Sequence, residues 1–286
     1  MATNPRATFL VSAPDQPGLV ARLSGFFYAR GLNIVDSSTH SDLWAEGGPR
    51  FFLRLAVELD ARNAREELEQ AFAALVATLS GSWSAGYSDR LARVAILVTR
   101  EPACLYDLLL RQKMGELPCE VPLILSNRPD LRPVAESFRI PFVEVPMAPE
   151  TRAAGEQRML ALIEEHRCDL VVLARYMQIL GAEFVARAPV AINIHHGFLP
   201  AFQGARPYHQ AHERGVKIIG ATAHYVTKDL DQGPIIEQDV ERVTHQMGPQ
   251  ELARVGRDIE RVVLARAVRA HLEHRILVEG RRTMVL

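Results

Sequence analysis

The chain has 286 residues, 48% hydrophobic and 23% charged, and its 33 Lys and Arg nearly balance 34 Asp and Glu for a formal net charge of −1. That length accommodates two domains of ordinary globular composition, and the balanced charge excludes the global basic field that draws in nucleic acid. No apolar run approaches the roughly 18 residues that span a bilayer, the opening Met1-Ala2-Thr3-Asn4-Pro5-Arg6 lacks a signal-peptide core, and Cys104, Cys119 and Cys168 show no C-x-x-C spacing, so a cytoplasmic protein without membrane or nucleic-acid partners is expected.

Residues 6–13 read as a strand. Asp15-Gln16-Pro17-Gly18 is a turn that opens a helix with Leu19, Val20, Leu23, Phe26 and Phe27 on one face, and Asp15 is expected to cap it. Gly31 stops that helix, and a second strand follows at about 32–41. Residues 50–59 form a third strand whose face is ambiguous: Phe52, Leu55 and Val57 meet only through a bulge or burial on both sides. A helix over 62–79 carries Leu68, Phe72, Leu75, Val76 and Leu79 at helical spacing, and Trp83 to Tyr87 is a final strand. The order β-α-β-β-α-β is the ferredoxin-like plan. Its small sheet leaves an edge free, so a homo-oligomer is expected.

Residues 80–90, with Gly81, Gly86 and several serines, grade from last strand into linker, which puts the domains at 1–90 and 91–286. Beyond the boundary, apolar strands at 94–98, 121–126, 142–145, 170–174 and 190–193 alternate with helical stretches around 103–114, 131–138 and 151–167. Such alternation predicts an α/β, doubly wound, mostly parallel sheet. Two more strands at 220–226 and 234–243 precede a long helix over 249–274, whose Glu and Arg positions read as its solvated face. There is no internal repeat, no G-x-G-x-x-G and no G-x-x-x-x-G-K-[ST], so no dinucleotide, ATP or other cofactor is expected.

The chemistry concentrates in Asn193-Ile194-His195-His196-Gly197-Phe198-Leu199-Pro200 and in Leu230-Asp231-Gln232-Gly233-Pro234. The apolar run Val190-Ala191-Ile192 leads into Asn193 as at the C-terminal end of a buried parallel strand, where open α/β sheets bind ligands. Alternation sends Asn193 and His195 to one side and Ile194 to the other. Pro200, Ala201, Gly204 and Ala205 then force an irregular loop, and Gly233-Pro234 marks a turn beside Asp231. An amide, an imidazole and a carboxylate together suit chemistry at a carbonyl: N–H groups stabilise an oxyanion, the imidazole moves protons near neutral pH, and the carboxylate orients the imidazole or a water. His196 and His224 are candidates to support that set. His209-x-x-His212 lacks the glutamate of H-E-x-x-H, and no metal is expected.

The run from Asn193 to His209, NIHHGFLPAFQGARPYH, with Gly220 to Thr227 and LDQGP, resembles the active-site region of the 10-formyltetrahydrofolate-dependent formyltransferase family, and in particular its hydrolytic branch. The resemblance implies that Asn193, His195 and Asp231 are catalytic, and that the substrate is a folate whose formyl group is released as formate. It also implies that Leu173, Met177, Gln178, Ile179, Leu180, Val185, Thr227, Lys228, Asp229 and Leu230 line a pterin slot. One departure is informative. Members that formylate a ribonucleotide amine carry a glycine-rich phosphate loop after their first strand. Here Thr99-Arg100-Glu101-Pro102-Ala103 holds no glycine, Glu101 repels a phosphate and Pro102 lacks an N–H, so water is the expected acceptor. Gly197 replaces the serine common after the two histidines. The alternatives are transfer to an amine and a non-catalytic folate or amino-acid sensor. The N-terminal order with Asp-x-Pro-Gly-Leu-Val resembles the ACT domain, which implies an amino-acid effector, glycine or methionine, near Asp15, Gly18 and Leu19.

Overall fold

The computed structural model describes residues 5–59, 64–201 and 207–286. The irregular loop expected at Gly204 and Ala205, and the start of the helix expected at Arg62, lie outside them. The chain divides into two compact units, Met1–Leu91 with Glu273–Glu279 and Thr283–Leu286, and Ala92–Leu272 with Gly280–Arg282.

In the first unit, β1 (Arg6–Pro14), α1 (Leu19–Tyr28), β2 (Ile34–Asp42), β3 (Arg50–Glu58), α2 (Arg65–Ala77) and β4 (Ser82–Tyr87) follow the ferredoxin-like order. The sheet is antiparallel with strand order β2-β3-β1-β4. β3 is buried on both faces, which resolves its pattern without a bulge against β1. Phe51, Leu53, Leu55 and Val57 join Phe9, Val11, Leu23, Phe27 and Phe72 in the core under the helices, whereas Phe52 points the other way with Leu10. The rings of Phe9, Phe27 and Phe72 meet with centroids 4.7–5.4 Å apart, in the tilted geometry that aromatic pairs favour. Val20 is 52% exposed, off the apolar face of α1. Nor does Asp15 cap that helix. Gly18 holds the cap position with φ 89°, a left-handed conformation that glycine adopts without penalty, and among the described residues no side chain makes a cap hydrogen bond there.

The second unit comprises β5 (Ala92–Val98), α3 (Ala103–Lys113), β6 (Cys119–Ser126), α4 (Arg132–Ser137), β7 (Phe142–Glu144), α5 (Arg152–Glu165), β8 (Leu170–Leu173), α6 (Ala182–Arg187), β9 (Ala191–His195), α7 (Pro207–Glu213), β10 (Ile218–Tyr225), β11 (Ile235–Arg242) and α8 (Pro249–Leu272). The strand order is β11-β10-β9-β8-β5-β6-β7, parallel from β9 to β7 and antiparallel at β10 and β11. The chain winds outward from β5 through β6 and β7, then returns to β8 on the other side of β5. That reversal creates the crevice at the strand C-termini where α/β sheets bind ligands. α8 buries a stripe through Leu252, Gly256, Glu260, Val263, Leu264, Ala267 and Val268. Glu260, which the sequence placed on a solvated face, is 1% exposed, so that reading is corrected.

The last strands, β12 (Ile276–Glu279) and β13 (Arg282–Val285), form a two-stranded sheet that the sequence reading did not foresee. Leu277 packs on Leu10 and Phe52, with Met284 and Leu286 beside them. Arg50 pairs with Glu279 at 3.5 Å, and an added Cβ at Gly86 would overlap the His274 ring. The second face of the N-terminal sheet is thus covered by the end of the chain.

Candidate active site

β9 delivers Asn193 and His195 as its last inward pair, and β10 runs antiparallel beside it with His224 opposite Asn193 and Thr222 opposite His195. Asp231 lies in the turn between β10 and β11 at φ 54°. Gly233 lets that turn close: a Cβ there would overlap the Tyr225 carbonyl oxygen. The structure therefore brings the three catalytic candidates and His224 together. His195 Nδ1 is 3.3 Å from Asp231 Oδ2. Asn193 Nδ2 donates to His224 Nε2 at 3.2 Å, and His224 Nδ1 donates to the Tyr225 carbonyl at 2.9 Å. A carbonyl can only accept, so Nδ1 carries the His224 proton and Nε2 is left to accept from the amide.

Asp231 is held well below the usual carboxylate range, by the His195 imidazole first and by His224 second. The 3.7 Å between His224 Nε2 and Asp231 Oδ1 exceeds a hydrogen bond, and that nitrogen already accepts from Asn193, so His195 is the effective partner. With Nδ1 turned to the carboxylate, His195 presents Nε2, which is buried and has no hydrogen-bond partner among the described residues. Asn193 keeps a second N–H free of His224. One amide N–H and one imidazole nitrogen thus remain to meet a group placed at the strand end.

His196 stacks on His195 with centroids 5.2 Å apart, and burial pushes its imidazole down to about 3, reinforced by Arg175. It is a neutral neighbour of the His195 ring. The following loop is fixed by Thr222, a residue the sequence reading passed over. Its buried hydroxyl donates to the Gly197 carbonyl at 2.9 Å and accepts from Leu199 N–H at 3.0 Å and from Gln238 Nε2 at 2.9 Å. A lone threonine within an apolar strand was its only signal.

The folate candidates fall into two groups. Leu173 is buried, and with Leu180 and Val226 it belongs to one apolar cluster. Met177, Ile179 and Leu230 are 55%, 56% and 60% exposed, apolar side chains left open at the strand ends. Met177 N–H donates to Thr99 Oγ1 at 3.0 Å, which ties this segment to the end of β5, and the Thr227 hydroxyl donates to the Asp229 carbonyl at 3.1 Å. Val185 and Gln178 are half-buried and Lys228 exposed. At the turn after β5, Glu101 Oε1 accepts the Ala103 N–H at 3.4 Å, so an acidic side chain sits on the first amide of α3.

In the first unit, Asp15, Gly18 and Leu19 line a cleft of about 490 Å³ together with Ser41 and Phe51. Among the described residues no group of three His, Cys, Asp or Glu could hold a metal ion. No described helix is long and apolar enough to cross a membrane.

Comparison with known proteins matches both units. Residues 7–73 fit the ACT domain and residues 92–268 the formyl transferase domain. Formyltetrahydrofolate deformylase from Synechocystis is 52% identical over 283 residues, covering 99% of either chain. The crystal structure of a formyltetrahydrofolate deformylase from Pseudomonas syringae superposes with a TM-score of 0.93 at 41% identity, over 100% of this chain and 96% of that one. A glycinamide ribonucleotide transformylase from Symbiobacterium toebii matches 68% of this chain and 94% of its own, with a TM-score of 0.65 and 30% identity. An ACT domain joined to a formyl transferase domain, with relatives of equal length across both, places the chain in the formyltetrahydrofolate deformylase family.

Proposed function

We propose that the protein is a hydrolase that converts 10-formyltetrahydrofolate and water to formate and tetrahydrofolate. The observation that carries the mechanism is His195, whose Nδ1 faces Asp231 while its buried Nε2 has no partner among the described residues. In this reading the formyl oxygen accepts from Asn193 Nδ2 and from Nε2–H of protonated His195, donors fixed before charge develops on that oxygen. Asp231 orients the attacking water and the imidazole. Water adds to the formyl carbon, the tetrahedral intermediate collapses with cleavage of the C–N bond, and N10 leaves with a proton. The exposed Met177, Ile179 and Leu230 supply apolar surface for the pterin, with Leu173 and Leu180 beneath, and with Gln178, Val185, Thr227, Lys228 and Asp229 bordering the slot.

Hydrolysis rather than transfer is supported by the Thr99 to Ala103 turn, where Glu101 occupies the first amide of α3 and would repel a phosphate. The test is formate release from 10-formyltetrahydrofolate, with and without a ribonucleotide amine. Formate equal to tetrahydrofolate at every amine concentration supports hydrolysis, and a shortfall matched by formylated amine overturns it. His195→Ala, Asn193→Ala and Asp231→Asn should each reduce kcat at least about a hundredfold, the scale of losing a preorganised oxyanion contact. Full activity in a folded variant removes that residue from the mechanism.

For the first unit we propose an amino-acid effector, glycine or methionine, in the cleft at Asp15, Gly18 and Leu19, and a homo-oligomer paired through a free sheet edge. Thermal shift with each amino acid and light scattering test these readings. No change with either ligand leaves the unit an assembling role alone, and a monomer removes that too.

A further inference from the structure

Behind the catalytic pair lies a chain of buried polar groups that the hydrolytic mechanism does not use. Glu260, 1% exposed in the middle of α8, accepts from the Tyr208 hydroxyl at 2.5 Å through Oε1, and its Oε2 faces Arg175 Nε at 3.3 Å. The Tyr208 ring lies 6.3 Å from His196, which in turn stacks on His195 at 5.2 Å. We propose that Arg175, Glu260 and Tyr208 are positioning residues that act through His196 to hold the His195 ring with Nδ1 on Asp231 and Nε2 toward the formyl oxygen. The inference rests on the catalytic reading of His195 given above.

Three observations support a positioning role over a structural one. First, a buried ion pair is poor at stabilising a fold, since desolvation offsets most of its attraction and apolar residues of equal volume serve as well. The desolvation is evident here: burial pushes the Glu260 carboxyl up, against the pull of Arg175 and Tyr208. Second, the chain makes room for the contact. Gly256 lies one turn before Glu260 on the same stripe, and a Cβ there would overlap the Tyr208 hydroxyl. Third, Arg175 joins two parts of the site. It lies two residues past the end of β8 at φ 63° and begins the segment that carries Met177 and Ile179, so its pairing with α8 fixes the folate-side loop and the histidine side to one helix. The guanidinium also lies close enough to His196 to disfavour that ring's charged form.

The test uses the full chain with Glu260→Gln, Tyr208→Phe and His195→Ala, assayed for kcat and KM with 10-formyltetrahydrofolate and for thermal midpoint. Glu260→Gln keeps the shape and removes the charge, and Tyr208→Phe keeps the ring against His196 and removes only the hydroxyl. Each is expected to lower kcat at least about tenfold with KM within about twofold, and to move the His195 and His196 ring resonances in histidine-labelled protein. Wild-type kcat and unmoved ring resonances in folded Tyr208→Phe overturn the array, whether or not Glu260→Gln folds. So does a loss of kcat that merely parallels the fraction unfolded. If His195→Ala itself is fully active, the catalytic reading fails first; if it is inactive while the other two are normal, the array alone is refuted.

Discussion

Replacing Thr222 by valine tests how strongly one buried hydroxyl organises the loop after His195. Valine has the same shape, so no cavity forms, and the change isolates hydrogen bonding. Thr222 is wholly buried and Leu199 is 3% exposed. Losing the hydroxyl leaves the Leu199 N–H without its 3.0 Å acceptor and the Gly197 carbonyl without its 2.9 Å donor, whereas Gln238 Nε2 keeps the Leu199 carbonyl at 3.0 Å. Each buried group left unsatisfied costs about 1–3 kcal/mol. With one N–H orphaned outright and one carbonyl partly so, the loss should be about 2–4 kcal/mol. Urea unfolding reads it as a lower midpoint at unchanged m-value. Activity should fall as well, because the loop continues directly from His195 and His196 and a misplacement of about 1 Å can lower turnover a hundredfold. Thr222→Ser keeps the hydroxyl and loses one methyl, a change of about 1 kcal/mol. If valine is within about 0.5 kcal/mol of wild type while serine is worse, packing and not the hydroxyl holds the loop, and the reasoning fails.

Gly233→Ala should disable the site without touching Asn193, His195 or Asp231, since its Cβ would displace the Tyr225 carbonyl that accepts from His224 Nδ1; a variant with normal kcat would refute that dependence. Leu277→Ala, which removes the side chain packed on Leu10 and Phe52, should destabilise the first unit by about 2–3 kcal/mol, measured by denaturant unfolding of the full chain. By the same contact, an isolated second unit requires a fragment ending near Leu272 as well as one starting near Ala92. Acid should also destabilise the protein through His196. Its folded-state pKa of about 3 lies below the unfolded value near 6.5, so the unfolded chain binds the proton first and stability falls as pH drops from about 6.5 toward 3. At pH 4.5 the full shift corresponds to about 2.7 kcal/mol, and solvent screening reduces this to roughly 1–2. His196→Gln should flatten the stability–pH curve in that window, and an unchanged slope would show that other groups dominate.

Sequence by itself determined the order of the main strands and helices of both units, though not α6, α7, β12 or β13, because periodicity of apolar residues is a local property that packing here follows. It also placed Asn193 and His195 on one side of a strand end, since alternation is geometry and nothing more. Asp231 could be named from the adjoining turn, but only the antiparallel return of β10 beside β9 brings it to His195. What the tertiary structure alone decided is who shares a buried polar bond across long sequence separations. Nothing local distinguishes Glu260 from its solvated neighbours on α8, or marks Thr222 as the acceptor for Leu199. The double burial of β3 was likewise undecidable, since Leu10 and Phe52 acquire a partner only when Leu277 comes back from the far end of the chain. Asp15 shows the limit in the other direction: a residue type suited to capping sits before the helix, yet Gly18 takes the cap position, because one backbone torsion set by the turn outweighs side-chain propensity.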